Sequence, residues 1–590
     1  MISNFLTRDT ARLSSDEFDL LVIGGGINGV AVAWEAALRG LRVALVEKGD
    51  FGGEASAGCF KIIHSGVRYL QHLDLMRLRE SVVEQRILRQ IASPYVHPLP
   101  FLIPCYGWGM KGKPLLNIGM RLFEALSFPR NKGVDSYHFL PNHQLLTREQ
   151  TLSIAPHLNQ QGLTGGVVYY DCQMSNCERL TWSVARAAID AGAVVCNYVE
   201  LISGSVSKDE QGKERIQSVT LQDKLSGKNF SLKTKFIVNA AGPWLGKVLQ
   251  RLAPSSPNSE EQKHRRLYTK GLQFAVPQFV NSYGVAVESR GIDEATVVSR
   301  GARSYFIFPW RDHSLVGTTD ELVLTDPDTF VINAEEVEAF RREVVEAYPD
   351  AILKNSTIKF AFGGYRPVDR RYRADEFEQL KERDLATPSR DDLIVYHGRQ
   401  NFDDYQRRLS NVISAEGMKY TTFRHYAEQI VKSVVQWGGF KVSPSKSATT
   451  NLPGVGAQSY YDLIRYYKQQ YAQHFSGEVL DNMVREYGTF CSDLMAIADK
   501  EGRGAELIAG SRLPGAAVIY SIRYELAQTL SDIIFRRSGL GTLGYPGEQT
   551  IKQVAQIMAD ELGWAKERMT MEIQNLHVDF AKHGVKISSL

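Results

Sequence analysis

The chain has 590 residues, 43% of them hydrophobic and 23% charged, with 69 Lys and Arg against 66 Asp and Glu and a formal net charge of +3. At roughly 100 to 200 residues per domain that length predicts about three folding units, which excludes small disulfide-stapled and disordered classes. The near balance of charge leaves no electrostatic footprint for nucleic acid, because "KHRR" at Lys263 to Arg266 is only a short basic run. The cysteines, Cys59, Cys105, Cys172, Cys177, Cys196 and Cys491, show no zinc spacing, so no metal is expected. The polar N-terminus lacks the apolar core of a secretory signal, and a reducing, cytoplasmic setting is expected. No run of about 18 apolar residues occurs, which argues against a membrane span and leaves peripheral contact with the cytoplasmic face open.

In chain order, the first informative element is "DLLVI", Asp19 to Ile23, a continuous apolar run that suits a parallel strand buried on both faces. It runs into Gly24-Gly25-Gly26-Ile27-Asn28-Gly29, and a helical pattern follows through Val30, Ala33, Ala37 and Leu38 to Gly40. A second apolar strand, "LRVALVEK", then brings in Glu47. A glycine string between strand and helix, with an acid closing the next strand about twenty residues on, is the context that makes a dinucleotide fingerprint specific. Gly24 permits the turn, Gly26 lets backbone approach a pyrophosphate, and Gly29 lets helix and strand pack closely. Glu47 is placed to accept from ribose hydroxyls. FAD and NAD both satisfy this unit.

A second strand-to-turn element, "FIVNAAGPW" at Phe236 to Trp244, offers Ala240, Ala241 and Gly242 as another place where backbone can approach a ligand. Two such elements far apart in the chain favour one extended cofactor, FAD. "YYDCQMSNCERL" reads as a turn before a helix, and Cys172 and Cys177 read as packing residues because no Cys-x-x-Cys spacing exists.

The motifs "VIGGGINGV", "VEKGDF", "KIIHSGVRYL", "VNAAGPW", "FPWRDHSLVGTTD", "GGYRPVDR" and "MKYTTFR" occur in the order found in the FAD-dependent glycerol-3-phosphate dehydrogenases, which the chain resembles from about Asp19 to about Met571. The resemblance implies a Rossmann-type α/β FAD-binding domain over 17–100, 165–248 and 390–437. It is interleaved with an antiparallel-sheet substrate domain over 101–164 and 249–389, and followed by an all-helical domain over 450–590. The implied cofactor contacts are Gly24, Gly26, Ile27, Asn28, Gly29, Glu47, Lys48, Ser56, Lys61, His64, Val199, Ala241, Gly242, Trp244, Gly417, Lys419 and Thr421. Arg68, Tyr69, Arg366 and Lys419 are the implied substrate-phosphate ligands, with Arg366 and Lys419 counted among the catalytic groups.

A dianionic polyol needs cations, for which the planar fork of arginine is suited, and one base. His64 is the candidate base, since imidazole titrates near neutrality. Asp320, at the end of "GTTD", could orient a neighbouring cation. The implied reaction is oxidation of sn-glycerol 3-phosphate to dihydroxyacetone phosphate by hydride transfer to flavin. Its implied electron acceptor is a quinone, and a homodimer is the expected assembly.

Three departures from the family pattern bear on the substrate. Ala57, Gly58, Cys59 and Phe60 replace a serine-rich stretch, Gln273 stands where Lys-Gly-x-His is common, and a charged stretch separates "GGYRPVDR" from "MKYTTFR". Two rivals therefore stand: a flavin oxidase or dehydrogenase of another hydroxy or amino acid, and a flavin-bound interaction protein without turnover. Downstream, Gly438 to Gly454 reads as a linker. Beyond it Ile522, Leu526, Leu530 and Ile533, and Ile551, Val554, Met558 and Leu562, follow helical spacing.

Overall fold

The computed structural model describes residues 5–109, 111–254, 267–288, 304–324, 326–368, 392–399 and 408–585. Two sheets and a set of C-terminal helices organise them. The first sheet is built on the strand Glu17–Ile23, which pairs in parallel with Asn229–Asn239 on one side and Val43–Val46 on the other. Val412–Glu416 and Val194–Cys196 extend it in parallel, and Leu393–Tyr396 closes one edge antiparallel. These strands are short and apolar on both faces because helices cover them. Ile27–Leu38 packs against Cys177–Asp190 and Phe423–Gly438, burying Val30, Ala33 and Trp34 with Leu20, Val22 and Val238.

The second sheet runs Glu321–Val323, Tyr268–Pro277, His313–Gly317, Ser304–Trp310, Gly284–Glu288, Val96–Tyr106, Leu163–Met174 and Ile62–Ile63, with Phe360–Pro367 paired along Tyr268–Pro277. All but one of its pairings are antiparallel. The α/β architecture and the antiparallel sheet expected from the sequence are present. The boundaries expected at residues 100 and 164 fall inside or beside two paired strands, Val96–Tyr106 and Leu163–Met174. Both strands belong wholly to the second sheet, because their eleven-residue register cannot be divided between sheets.

The C-terminal helices, from Tyr460–Tyr471 to Lys566–Lys582, pack on the second sheet. Met483, Leu494, Ile519, Val554 and Phe580 share one buried cluster with Phe101, Phe308, Trp310 and Phe360. The periodic run Ile551 to Leu562 is the helix Glu548–Leu562. The run Ile522 to Ile533 is not one helix. The helix Gly515–Tyr524 stops, Leu526 takes a φ of 56°, and a π-helix begins at Asp532. Hydrogen bonds from buried Arg537 to the Glu525 carbonyl occupy an acceptor that a continuing helix would use.

The charged stretch before "MKYTTFR" lies largely outside the described residues, as does "KHRR". Its described part includes "NVISAE", whose charged surroundings predict solvated loop or helix. It is instead a strand of the first sheet, with Val412 and Ile413 fully buried. The expected linker, Gly438 to Gly454, follows a helix ended by left-handed Gly439 and contains no further helix or strand.

Candidate active site

A cavity of about 720 Å³ opens between the two sheets, within the range of roughly 300–1,000 Å³ usual for small-molecule sites. One end is made by the glycine turn. Gly24 has a φ of +108°, and a Cβ there would lie 2.7 Å from the Ala240 carbonyl oxygen, so only glycine fits where the two backbone turns meet. Gly26, Ile27 and Asn28 line the cavity, while Gly29 sits behind them. A Cβ on Gly29 would come 1.9 Å from the Gly24 oxygen, so this glycine sets the helix-to-strand distance. The Ile27 amide donates to Ser56 Oγ at 3.0 Å, and the helix Ile27–Leu38 has no side-chain cap.

Glu47 accepts from the amides of Gly25 (2.6 Å) and Gly49 (2.8 Å). Burial raises its carboxyl above the usual range despite these two bonds. Ala241, Gly242 and Trp244 also line the cavity. At the rim, Lys48 lies 4.0 Å over the Trp244 ring and 3.1 Å from Asp328.

The same cavity holds the candidate chemistry. His64, Arg68, Tyr69, Arg366, Gly417, Lys419 and Thr421 all line it. The His64 amide donates to Thr421 Oγ1 at 3.0 Å, and His64 Nδ1 lies 3.3 Å from Asp171 Oδ2. Asp171 is buried and fixed by the Ser65 amide (2.6 Å) and Gln85 Nε2 (3.1 Å). With Nδ1 turned to a carboxylate, the imidazole offers Nε2 as its free acceptor, an arrangement suited to a general base. Arg366 is paired with Asp320, and Lys419 Nζ stands 4.5 Å over the Tyr69 ring. Asp320 thus orients a cation, as the sequence suggested. Asp171 was missed there, although a single acid inside the apolar run "GVVYYDCQM" was its signal.

Besides Gly29, two of the expected cofactor contacts do not reach the cavity. Lys61 is fully buried, bonded to the Ala57 carbonyl (2.7 Å) and Cys177 Sγ (2.8 Å) and paired with Glu178 (3.3 Å). Its left-handed φ of 56° turns the side chain behind the wall. Val199 acts only through backbone, donating to the Glu47 carbonyl at 2.8 Å, while its side chain enters the core. Gln273 lines the wall and donates to the carbonyls of Gly58 (3.0 Å) and Cys59 (2.7 Å).

The residues present fit FAD. A helix N-terminus whose N-cap, Gly26, brings no side chain suits a pyrophosphate, and Glu47 suits a ribose. The buried Asn28 Oδ1 faces the same cavity with no partner among the described residues. A Cβ on Gly417 would lie 2.3 Å from Asn28 Nδ2, so the Asn28 side chain packs directly on the Gly417 backbone.

Residues 19–418 match the model of the FAD dependent oxidoreductase family. The chain belongs to that family. Residues 447–569 of this flavin-dependent oxidoreductase also match the C-terminal domain of alpha-glycerophosphate oxidase. It is 30% identical to a glycerol-3-phosphate dehydrogenase of Synechocystis, across 97% of each chain. Identity to the mitochondrial glycerol-3-phosphate dehydrogenase of Mus musculus is 29%, covering 95% of this chain and 73% of that one. Among solved structures, the glycerol-3-phosphate dehydrogenase of Bacillus halodurans complexed with FAD matches with a TM-score of 0.72 over 98% of both chains, at 22% identity. The cofactor of this oxidoreductase is FAD.

Proposed function

We propose that this flavoenzyme oxidises sn-glycerol 3-phosphate to dihydroxyacetone phosphate and passes the electrons to a quinone. This reading is supported by a single cavity lined both by the glycine turn that fits a dinucleotide and by Arg68, Arg366, Lys419 and His64, the last beside Asp171. Bound FAD supplies the hydride acceptor. His64 Nε2 takes the proton of the secondary hydroxyl as that carbon is oxidised, and Asp171 stabilises the imidazolium that results. The three cations hold the phosphate dianion, with the Arg366 fork directed by Asp320. The glycerol-3-phosphate dehydrogenases to which the chain is similar supply the substrate.

An apolar face supports delivery of electrons at a membrane surface. Trp108, Ile118 and Phe128 are 83%, 62% and 78% exposed. Leu115, Ile118 and Leu122 recur along one side of the helix Lys113–Leu126, with Arg121 and Lys132 exposed beside them. That helix packs against the turn Val67–His72, which carries Arg68 and Tyr69, so the face adjoins the substrate end of the cavity. Among the described residues, no helix is long and apolar enough to cross a membrane. Binding to anionic vesicles, lost when Ile118 and Leu122 are changed to Asp, is the expected result for a peripheral contact.

The reaction is tested by supplying glycerol 3-phosphate with a soluble quinone analogue and identifying products. Stoichiometric dihydroxyacetone phosphate and reduced quinone support the proposal. Hydrogen peroxide from an amino or hydroxy acid, without turnover of glycerol 3-phosphate, overturns it.

A further inference from the structure

Behind the wall near Gln273 lies a cluster that the proposed reaction does not use. Cys177 is the first residue of the helix Cys177–Asp190, whose N-cap is Asn176, and its thiol is fully buried. The Lys61 ammonium donates to Cys177 Sγ at 2.8 Å, and that sulfur also lies 3.4 Å from the Ser56 carbonyl oxygen and 3.7 Å from that of Ala57. The Cys177 sulfur therefore rests on the segment that leads directly to Cys59. Cys59 is half-buried and lines the cavity, with its carbonyl held by Gln273. No disulfide joins the two, and 118 positions of sequence separate them, so no local spacing could have flagged the pair.

The two thiols differ in accessibility and acidity. Burial raises the Cys59 thiol, but its interaction with the Cys177 thiol and the charge of Lys61 outweigh burial and leave it lowered. Burial pushes Cys177 up, helped by its neighbour Cys59. A half-buried thiol on a segment that lines the cavity, with a fully buried second thiol in the cluster it packs against, has the layout of an attacking and a resolving cysteine. A cation at 2.8 Å and a helix N-terminus are both placed to support negative charge on the resolving sulfur as it reacts.

We propose that Cys59 and Cys177 form a hydroperoxide-responsive dithiol in the wall of the active-site cavity. The Cys59 thiolate attacks one oxygen of hydrogen peroxide, the O–O bond breaks, and hydroxide leaves, giving a sulfenic acid. The Cys177 sulfur then attacks the Cys59 sulfur, the S–O bond breaks, and water leaves as the S–S bond forms. Two thiols lose two electrons and the peroxide is reduced to two waters in all. The closed bond ties Gly58 and Cys59, the partners of Gln273, to the start of the helix Cys177–Asp190. This inference rests on the thiol cluster alone and stands apart from the identity of the substrate.

The test treats the FAD-loaded enzyme with a few equivalents of hydrogen peroxide under denaturing-quench conditions. The expected result is an intact protein lighter by two hydrogens, two fewer free thiols than the six of the sequence, and a Cys59–Cys177 cross-linked peptide, all reversed by dithiothreitol. In Cys177→Ser the same dose gives a dimedone-trapped sulfenic acid on Cys59, whereas Cys59→Ser gives neither product. Six intact thiols in the wild-type enzyme, or a stable oxyacid on Cys59 with no link to Cys177, overturn the proposal. The wild-type measurement decides the matter even where a variant fails to fold.

Discussion

His64 illustrates how the site divides between readable and hidden residues. Its motif, "KIIHSGVRYL", is local and marks the histidine directly, whereas its partner Asp171 lies 107 positions away and meets it only because Ile63 pairs with Cys172 across two strands. His64→Ala is expected to slow flavin reduction by about 10²- to 10⁴-fold, the usual worth of a positioned acid–base group, with FAD still bound. Asp171→Asn keeps the shape but removes the carboxylate beside His64 Nδ1, so rapid-mixing kinetics should show a slower step. Arg366→Lys preserves the charge and loses the planar fork held by Asp320, and a KM effect larger than the kcat effect is expected. Unchanged KM in that variant would show that Arg366 does not hold the phosphate.

Elements were legible where the pattern is local and strong. The first strand, the glycine turn and the helix Ile27–Leu38 follow the apolar run and glycines as read, and the closeness inferred for Gly29 is seen in its contact with the Gly24 backbone. Gly29→Ala should therefore force the helix away from the strand. The expected outcome is loss of FAD on gel filtration and a lowered Tm, and an FAD content equal to wild type would contradict this role. Where tertiary contacts override the pattern, the sequence misleads. The run Ile522 to Ile533 has helical spacing, yet buried Arg537 claims the Glu525 carbonyl and breaks it. "NVISAE" lies beside many charges, yet becomes a buried strand because the first sheet has an open edge next to Asn229–Asn239. Lys61 stands in a cofactor-like motif, yet a positive φ sends it to Cys177 and Glu178, a choice no spacing reveals.

At the scale of the whole molecule, the C-terminal helices are tied to the cofactor-binding loop by charge as well as by packing. Asp50, three residues beyond Glu47 and in the cavity wall, is bound by Arg537 at 2.7 and 2.9 Å and by Arg536 at 2.7 Å. Arg537→Ala strips one partner from a buried carboxylate, a change that costs about 3 kcal/mol or more, and chemical denaturation should show it. Burial raises the Asp50 carboxyl, but Arg537 and Arg536 outweigh it and hold the group at about 2, below its ordinary 3.8. Because this folded-state value is depressed, its stabilisation is complete above about 3.8 and disappears as pH falls through about 2.

Histidines act at milder acidity. Burial lowers His138 and His583 to about 4 from 6.5. Each is held neutral in the fold, so stability present above pH 6.5 declines as pH falls toward 4. His138 packs against the Tyr460 ring, and His583 bonds the Ala361 carbonyl at 3.0 Å, so both sit where the C-terminal helices meet the second sheet. The Tm is expected to fall between pH 6.5 and 4, with His138→Gln flattening part of that slope. A composition with a net charge of +3 shows none of this, because both the proposed phosphate site and the Asp50 clamp depend on a few charges brought together from distant segments. The measurement that tests the proposed activity most directly is anaerobic mixing of the FAD-loaded enzyme with glycerol 3-phosphate, monitored at the flavin absorbance. Full bleaching by one equivalent is predicted for this substrate, and a spectrum unchanged by excess glycerol 3-phosphate would contradict it.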